Sequence, residues 1–183
     1  MRDTGGVITD VASFVSWFEG VHRRTLRDVR LLPAEAETWV PPTGDGEAAW
    51  GIPQLVRHTA EARPYFGSAF AGDGWVWDPW PDEVTGPETW VTALERSMEL
   101  LRDRVGGVPD DRLREKVALI STDDFEVSAW RILMMMAEHE VHHRAQMSAY
   151  AGLKGWPVAQ TFDRTNEWVV AQRESELRRR DRT

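Results

Sequence analysis

"AEHEVHHRAQM", residues 137–147, follows directly on the apolar run "WRILMMM" and carries three of the chain's five histidines. Read at helical spacing, Ile132, Met136, His139, His143, Gln146 and Tyr150 fall on one face. The early turns of that face are apolar, so it looks inward, while its middle is polar. Two buried imidazoles one turn apart are costly unless hydrogen-bonded or metal-bound. At i and i+4 their rings can converge on one ion at metal–nitrogen distances of about 2.0–2.1 Å. His142 points roughly 100° away from His143 and is expected to be more exposed. The run Met134–Met136 reads as core filler.

Helical periodicity extends outward from this stretch. A first helix is expected from about Thr9 or Asp10, plausible caps, to Leu32 before Pro33; Val11, Phe14, Val15, Phe18, Val21, Val29 and Leu32 recur at spacings of three and four. After the Pro- and Gly-rich connection "VPPTGDGEAAWG" (40–51), a second helix begins at Pro53, with the stripe Leu55, His58, Ala62, Tyr65 or Phe66, and Ala69. Pro64 is expected to kink or end it. A third helix opens at Pro87 and stops at Gly106-Gly107; Trp90, Val91, Leu94, Met98, Leu101 and Val105 form its buried stripe. Residues 109–125 are ambiguous, and "LREKVALI" (113–120) suits a short strand or a helical turn. The fourth helix is expected from near Glu126, with Asp123 and Glu126 spaced as a capping box, to Gly152–Gly155. A shorter helix runs from about Thr165 into the tail. The reading is all-α: one domain over residues 1–183, an antiparallel four-helix bundle with its core at about 8–155 and an extension at 156–183.

Bulk properties bound the function. At 183 residues the chain suits one domain. It has no cysteine, so disulfides, thiolate metal sites and a cysteine nucleophile are excluded, and any thiol in the chemistry comes from outside. A net charge of −8 argues against a nucleic-acid partner; the basic tail "RRRDRT" (178–183) reads as a solvated end. No apolar run approaches the about 20 residues of a membrane span, and the N-terminus lacks the apolar core of a signal peptide, so a cytoplasmic protein is expected. Ten tryptophans are many for this length. Several sit in "GWVWDPWPDE" (74–83), a loop expected to fold onto the core, or else to roof a pocket or cover a dimer surface.

His58 repeats the anomaly of His139 and His143, an imidazole on an otherwise apolar stripe. Three inward imidazoles from two helices form a facial site with coordination positions left open for water or substrate. Three metal readings compete. "HEVHH" matches the H-E-x-x-H zinc-protease helix, with Glu140 as general base, though positions 146 and 149 do not supply the extended motif's third histidine. "EGVH" (Glu19, His22) and "EVHH" (Glu140, His143) both satisfy Glu-x-x-His, as in two-metal carboxylate bundles; Glu61 and Glu95 or Glu99 would complete that set.

The third reading rests on likeness. "LVRHTAEARPYF" (55–66) with "AEHEVHHRAQMSAY" (137–150) resembles the DinB/YfiT-like family of metal-dependent four-helix bundles, over roughly residues 8–155. That resemblance implies His58, His139 and His143 as metal ligands, followed by Arg144 and Gln146, with Ala145 where the family has glycine. It also implies a divalent metal, Zn or Ni ahead of Fe or Mn, a small-molecule substrate and a homodimer. Better-known members of the family include transferases that use low-molecular-weight thiols such as bacillithiol. A sister group, the mycothiol-dependent maleylpyruvate isomerases, has glutamate where this chain has His139.

The expected activity is thiol transfer to a small electrophile or thiol-assisted isomerisation, with metal-dependent hydrolysis as the alternative. A metal or small-molecule binder without turnover, and an apo bundle whose histidines bond to one another, stay open. Glu61, one turn after His58, is a candidate to orient its ring or shuttle a proton. His22, Gln146 and Tyr150 are candidates to line the substrate pocket.

Overall fold

The computed structural model describes residues 8–42, 44–79, 83–120, 122–160 and 164–180, with the backbone alone at 122–124. The N-terminal residues 1–7, the end of the aromatic loop at 80–82, the Asp123 half of the expected capping box and the chain end at 181–183 lie outside the described residues or side chains.

Helix α1 (Val11–Arg30) begins where Asp10, in an extended conformation, accepts the Ser13 N–H at 2.7 Å. That bond satisfies one of the donors a helix N-terminus leaves unpaired. Helix α2 (Ile52–Ala71) starts after Gly51, a position where a Cβ would meet the Trp39 carbonyl at 2.6 Å, so only glycine lets the two backbones pass this closely. Pro64 does not end α2, which continues to Ala71. The helix packs between α3 (Pro87–Val105) and α4 (Ala129–Lys154), and burial on both flanks outweighs the hydrogen bond that proline removes.

Residues 116–128 resolve the ambiguous stretch as a hairpin. Strand β1 (Lys116–Leu119) pairs antiparallel with β2 (Thr122–Ser128), Val117 opposite Val127. The fourth helix therefore starts at Ala129, with Ser128 at its N-cap position but no side-chain capping bond, and not near Glu126. Val127 packs partly buried against the core, while Phe125 of the same strand stays exposed.

Two apolar clusters fix the topology. One joins the end of α1 (Leu26, Val29), the start of α2 (Ile52, Leu55, Val56), the start of α3 (Trp90, Leu94) and the end of α4 (Met147, Tyr150). The other joins the start of α1 (Phe14, Phe18), the end of α2 (Ala69, Phe70), the end of α3 (Leu101, Val105) and the start of α4 (Ile132, Leu133). Helices α1 and α4 thus run one way, and α2 and α3 the other. Since α1 packs on α3 and α4, and α2 on the same two helices, the neighbours α2/α3 and α1/α4 are parallel. This corrects the antiparallel expectation. Residues 72–86 are long enough to return along a helix of about 29 Å, which a short hairpin loop could not do.

Helix α5 (Asn166–Arg180) realises the expected last helix and buries none of its residues. Among the described residues, no helix is long and apolar enough to cross a membrane.

Candidate metal centre

Midway along the bundle, between the two apolar clusters, lies a polar layer to which each of the helices α1–α4 contributes. Arg63 of α2 donates to both carboxylate oxygens of Glu140 on α4, at 2.9 and 2.8 Å. Its remaining donors reach the Leu94 carbonyl and the Ser97 hydroxyl of α3, at 2.6 and 2.8 Å. Thr25 of α1 donates to Glu140 at 2.6 Å. Arg63 and Glu140 are each only 1% exposed. Burial alone would raise the Glu140 pKa, but the Arg63 charge and the bonds from Arg63 and Thr25 hold it below the usual range.

Glu140 is therefore committed to a closed ion pair and is not a general base for a metal held by His139 and His143; the zinc-protease reading fails on this geometry. The two-metal reading fails as well. Glu19 pairs with Arg102 at 2.7 Å, Glu95 pairs with Arg30 at 2.9 Å, and Glu99 is exposed.

His139, one residue before Glu140, turns about 100° away and meets two other rings. Its Nε2 lies 2.8 Å from Nε2 of His58 and 3.1 Å from Nε2 of His143. Ligand nitrogens about 2.0–2.1 Å from one ion, at angles of about 90–110°, lie about 2.8–3.4 Å apart, which matches this spacing. His143 is 1% exposed, while His58 and His139 are half-buried. Trp50 stands edge-on to His58, ring centres 5.0 Å apart, and Phe66 lies 5.7 Å from His139.

The proton count shows what the cluster lacks. His143 Nδ1 donates to Gln146 Oε1 at 2.6 Å, so its Nε2 is a bare lone pair. If His139 Nε2 carries a hydrogen for His143, it has no lone pair to offer His58. If it is bare and accepts from His58, it faces His143 lone pair to lone pair. On neutral rings the single His139 hydrogen or lone pair must be shared between both neighbours, so histidines bonded only to one another are poorly satisfied here. A cation at the convergence point resolves the conflict.

The rings are neutral at physiological pH. Burial lowers all three pKa values, and His139 falls to about 3 with the charges of His143, His58 and His142 adding to the effect. Neutral imidazole is the ligating form, so donor type, spacing and protonation all fit a divalent ion.

The other expected site residues are more dispersed. Glu61 is buried one turn after His58 and accepts from Arg57 Nε at 3.1 Å; its charge opposes the burial that lowers the His58 pKa. Gln146 touches the centre through the His143 ring. Tyr150 sits in an apolar cluster, edge-on to Trp39 at 5.2 Å, about two turns along α4 from His143. His22 is buried near the Arg63–Glu140 layer, and among the described residues its Nδ1 has no hydrogen-bond partner; burial, then the Arg63 charge, lowers its pKa to about 4. His142 is exposed as expected. Sequence reasoning missed Arg63, and it missed Glu47 and Trp50 of the connection between α1 and α2. The only signal for Arg63 was an acidic residue on a bundle helix that needed a buried cation.

An up–down–down–up four-helix bundle that brings three imidazoles together from its second and fourth helices defines a class of histidine-centred bundle proteins. Within that class the chain belongs to the DinB family, whose sequence profile matches residues 1–175. It is similar to the crystal structure of a DinB-like protein from Bacillus subtilis, with TM-score 0.64 and 14% identity, covering 84% of this chain and 99% of that one. A DinB-like protein from Bacillus cereus gives TM-score 0.65 and 16% identity over 84% and 98% of the two chains. At these identities the likeness shows the fold alone. No curated protein matches the sequence.

Proposed function

We propose that the protein is a metal-dependent enzyme that brings a low-molecular-weight thiol to a small electrophilic substrate, for transfer or isomerisation. The observation that carries the proposal is the convergence of the Nε2 atoms of His58, His139 and His143, with two of the three rings only half-buried. These three residues would hold a divalent ion, Zn or Ni ahead of Fe or Mn. A bound ion of this kind supplies Lewis acidity, lowering the pKa of a bound thiol or water toward neutrality.

The chain's own groups have separate tasks. Gln146 fixes the tautomer of His143 and so aims its lone pair. Trp50 and Phe66 flank the rings and limit the approach of bulk water. Glu61 keeps negative charge beside His58. The absence of cysteine leaves the nucleophilic sulfur to a cosubstrate. A homodimer belongs to the same proposal and is read by sedimentation of the untagged protein.

Isothermal titration of the metal-loaded protein with bacillithiol, mycothiol and glutathione tests the thiol step. One of the three is expected to bind at one equivalent per chain, and heat from none of them would discard the thiol while leaving the metal centre intact.

A further inference from the structure

The connection between α1 and α2 carries one acidic side chain to the histidine cluster. Glu47 Oε1 lies 3.7 Å from His58 Nε2, and Oε2 lies 4.0 Å from His143 Nε2. Among the described residues, Glu47 also groups with His142 and His143 as a second potential set of metal donors, their donor atoms within 4.8 Å of one another. The carboxylate thus faces the centre from the side that α2 and α4 leave open.

Its position is built by the backbone. Gly46, just before it, has φ +55°, and Gly44 has φ +131°, conformations that L side chains rarely adopt. A Cβ at Gly44 would lie 3.1 Å from the Ala48 backbone. Residues Gly46–Ala49 close a 3-10 turn in which the Trp50 N–H bonds the Glu47 carbonyl at 3.3 Å. Trp50 then packs edge-on to His58, and Gly51 passes against the Trp39 carbonyl. The turn is therefore anchored immediately after Glu47 by contact with one of the three histidines.

Resting on the metal-centre reading above, we infer that Glu47 is a fourth, movable protein donor to the centre. Three neutral imidazoles leave a divalent ion with its full double charge, and one carboxylate halves it. Neighbouring donors sharing an ion lie about 2.8–3.4 Å apart, so the Glu47 oxygens, 3.7 and 4.0 Å from the two histidine nitrogens, stand just beyond that spacing. The Glu47 side chain, 49% exposed, has room to rotate the remaining distance. A donor on a loop, unlike three on helices, can withdraw when an anionic cosubstrate takes its place.

The experiment uses full-length apo protein as wild type, Glu47→Gln and Asp45→Asn. Asp45 is exposed in the same loop and removes the same charge. Zn2+ affinity is measured against a competing chelator, and Co2+ loading is followed by its visible spectrum. The expected result is Zn2+ binding weakened about 10–100-fold in Glu47→Gln, the loss typical of removing a group that supports a metal shell. The Co2+ bands should shift in that variant, and Asp45→Asn should match wild type in both measurements. Stoichiometric binding in all three proteins, with Glu47→Gln and Asp45→Asn indistinguishable in affinity and spectrum, would overturn the Glu47 assignment while leaving the three-histidine centre standing. Failure of wild type to bind either ion would overturn both.

Discussion

Residues 139 and 140 are neighbours on one helix and belong to two kinds of polar site. Glu140 points into a closed layer where Arg63, Thr25, Leu94 and Ser97 provide partners for the ion pair and where both charges are 1% exposed. His139 points into a half-open cluster where its one Nε2 hydrogen or lone pair is shared between two neighbouring rings. A buried polar group that is fully partnered holds a bundle in register; one left short of a partner is waiting for a ligand. The same helix thus separates structural polarity from chemical polarity by a rotation of about 100°.

The contrast predicts different penalties on its two sides. The largest belongs to the closed layer: Arg63→Met leaves the Glu140 carboxylate buried and unpaired, which should cost about 3–5 kcal/mol in urea unfolding. The double variant Arg63→Met/Glu140→Met should recover most of that loss, and a double as unstable as the single would mean the layer acts through something other than charge pairing.

Next is the pH response of His22, beside the same layer. Its folded pKa of about 4 lies below the ordinary 6.5, so the fold favours the neutral ring. The stabilisation is present above pH 6.5 and is lost as pH falls toward 4, amounting to about 3 kcal/mol. His22→Leu should flatten that part of the stability profile; an unchanged profile would show that His22 does not titrate as a buried group.

On the open side, Gln146→Leu removes the acceptor that sets the His143 tautomer. Metal affinity should fall about 10–100-fold with little change in unfolding midpoint, whereas an equal loss of fold stability would make Gln146 part of the scaffold. The smallest effect is expected at Glu19→Ala, which breaks a partly exposed pair with Arg102. It should cost less than about 1 kcal/mol and leave metal content untouched, unlike a ligand of a two-metal centre.

The histidine centre was legible because its signal is local and periodic. His139 and His143 stand one turn apart on an inward stripe, and His58 breaks an apolar stripe on another helix. Helices α1 and α3 were legible for the same reason. Glu47 was not, since it sits in a Pro- and Gly-rich connection whose path is set by tertiary contacts and glycine conformations. Arg63 was hidden by the ordinary expectation that arginine on a helix is exposed. Pro64 does not end α2, because flanking burial outweighs one missing hydrogen bond. The onset of α4 was placed too early because its first polar residues suit a cap and a strand alike. Parallel neighbours were missed because periodicity reports which face is buried and says nothing of helix direction.

The central claim is that residues 58, 139 and 143 hold one ion together. Untagged wild type and the variants His58→Ala, His139→Ala and His143→Ala are each loaded with Zn2+ or Ni2+, freed of excess and analysed for metal per chain. The account predicts about one equivalent in wild type and less than about a tenth in every variant, as expected when one ligand of a three-donor site is lost. Full metal retention in His58→Ala would contradict it, because the ion would then be held without any ligand from α2.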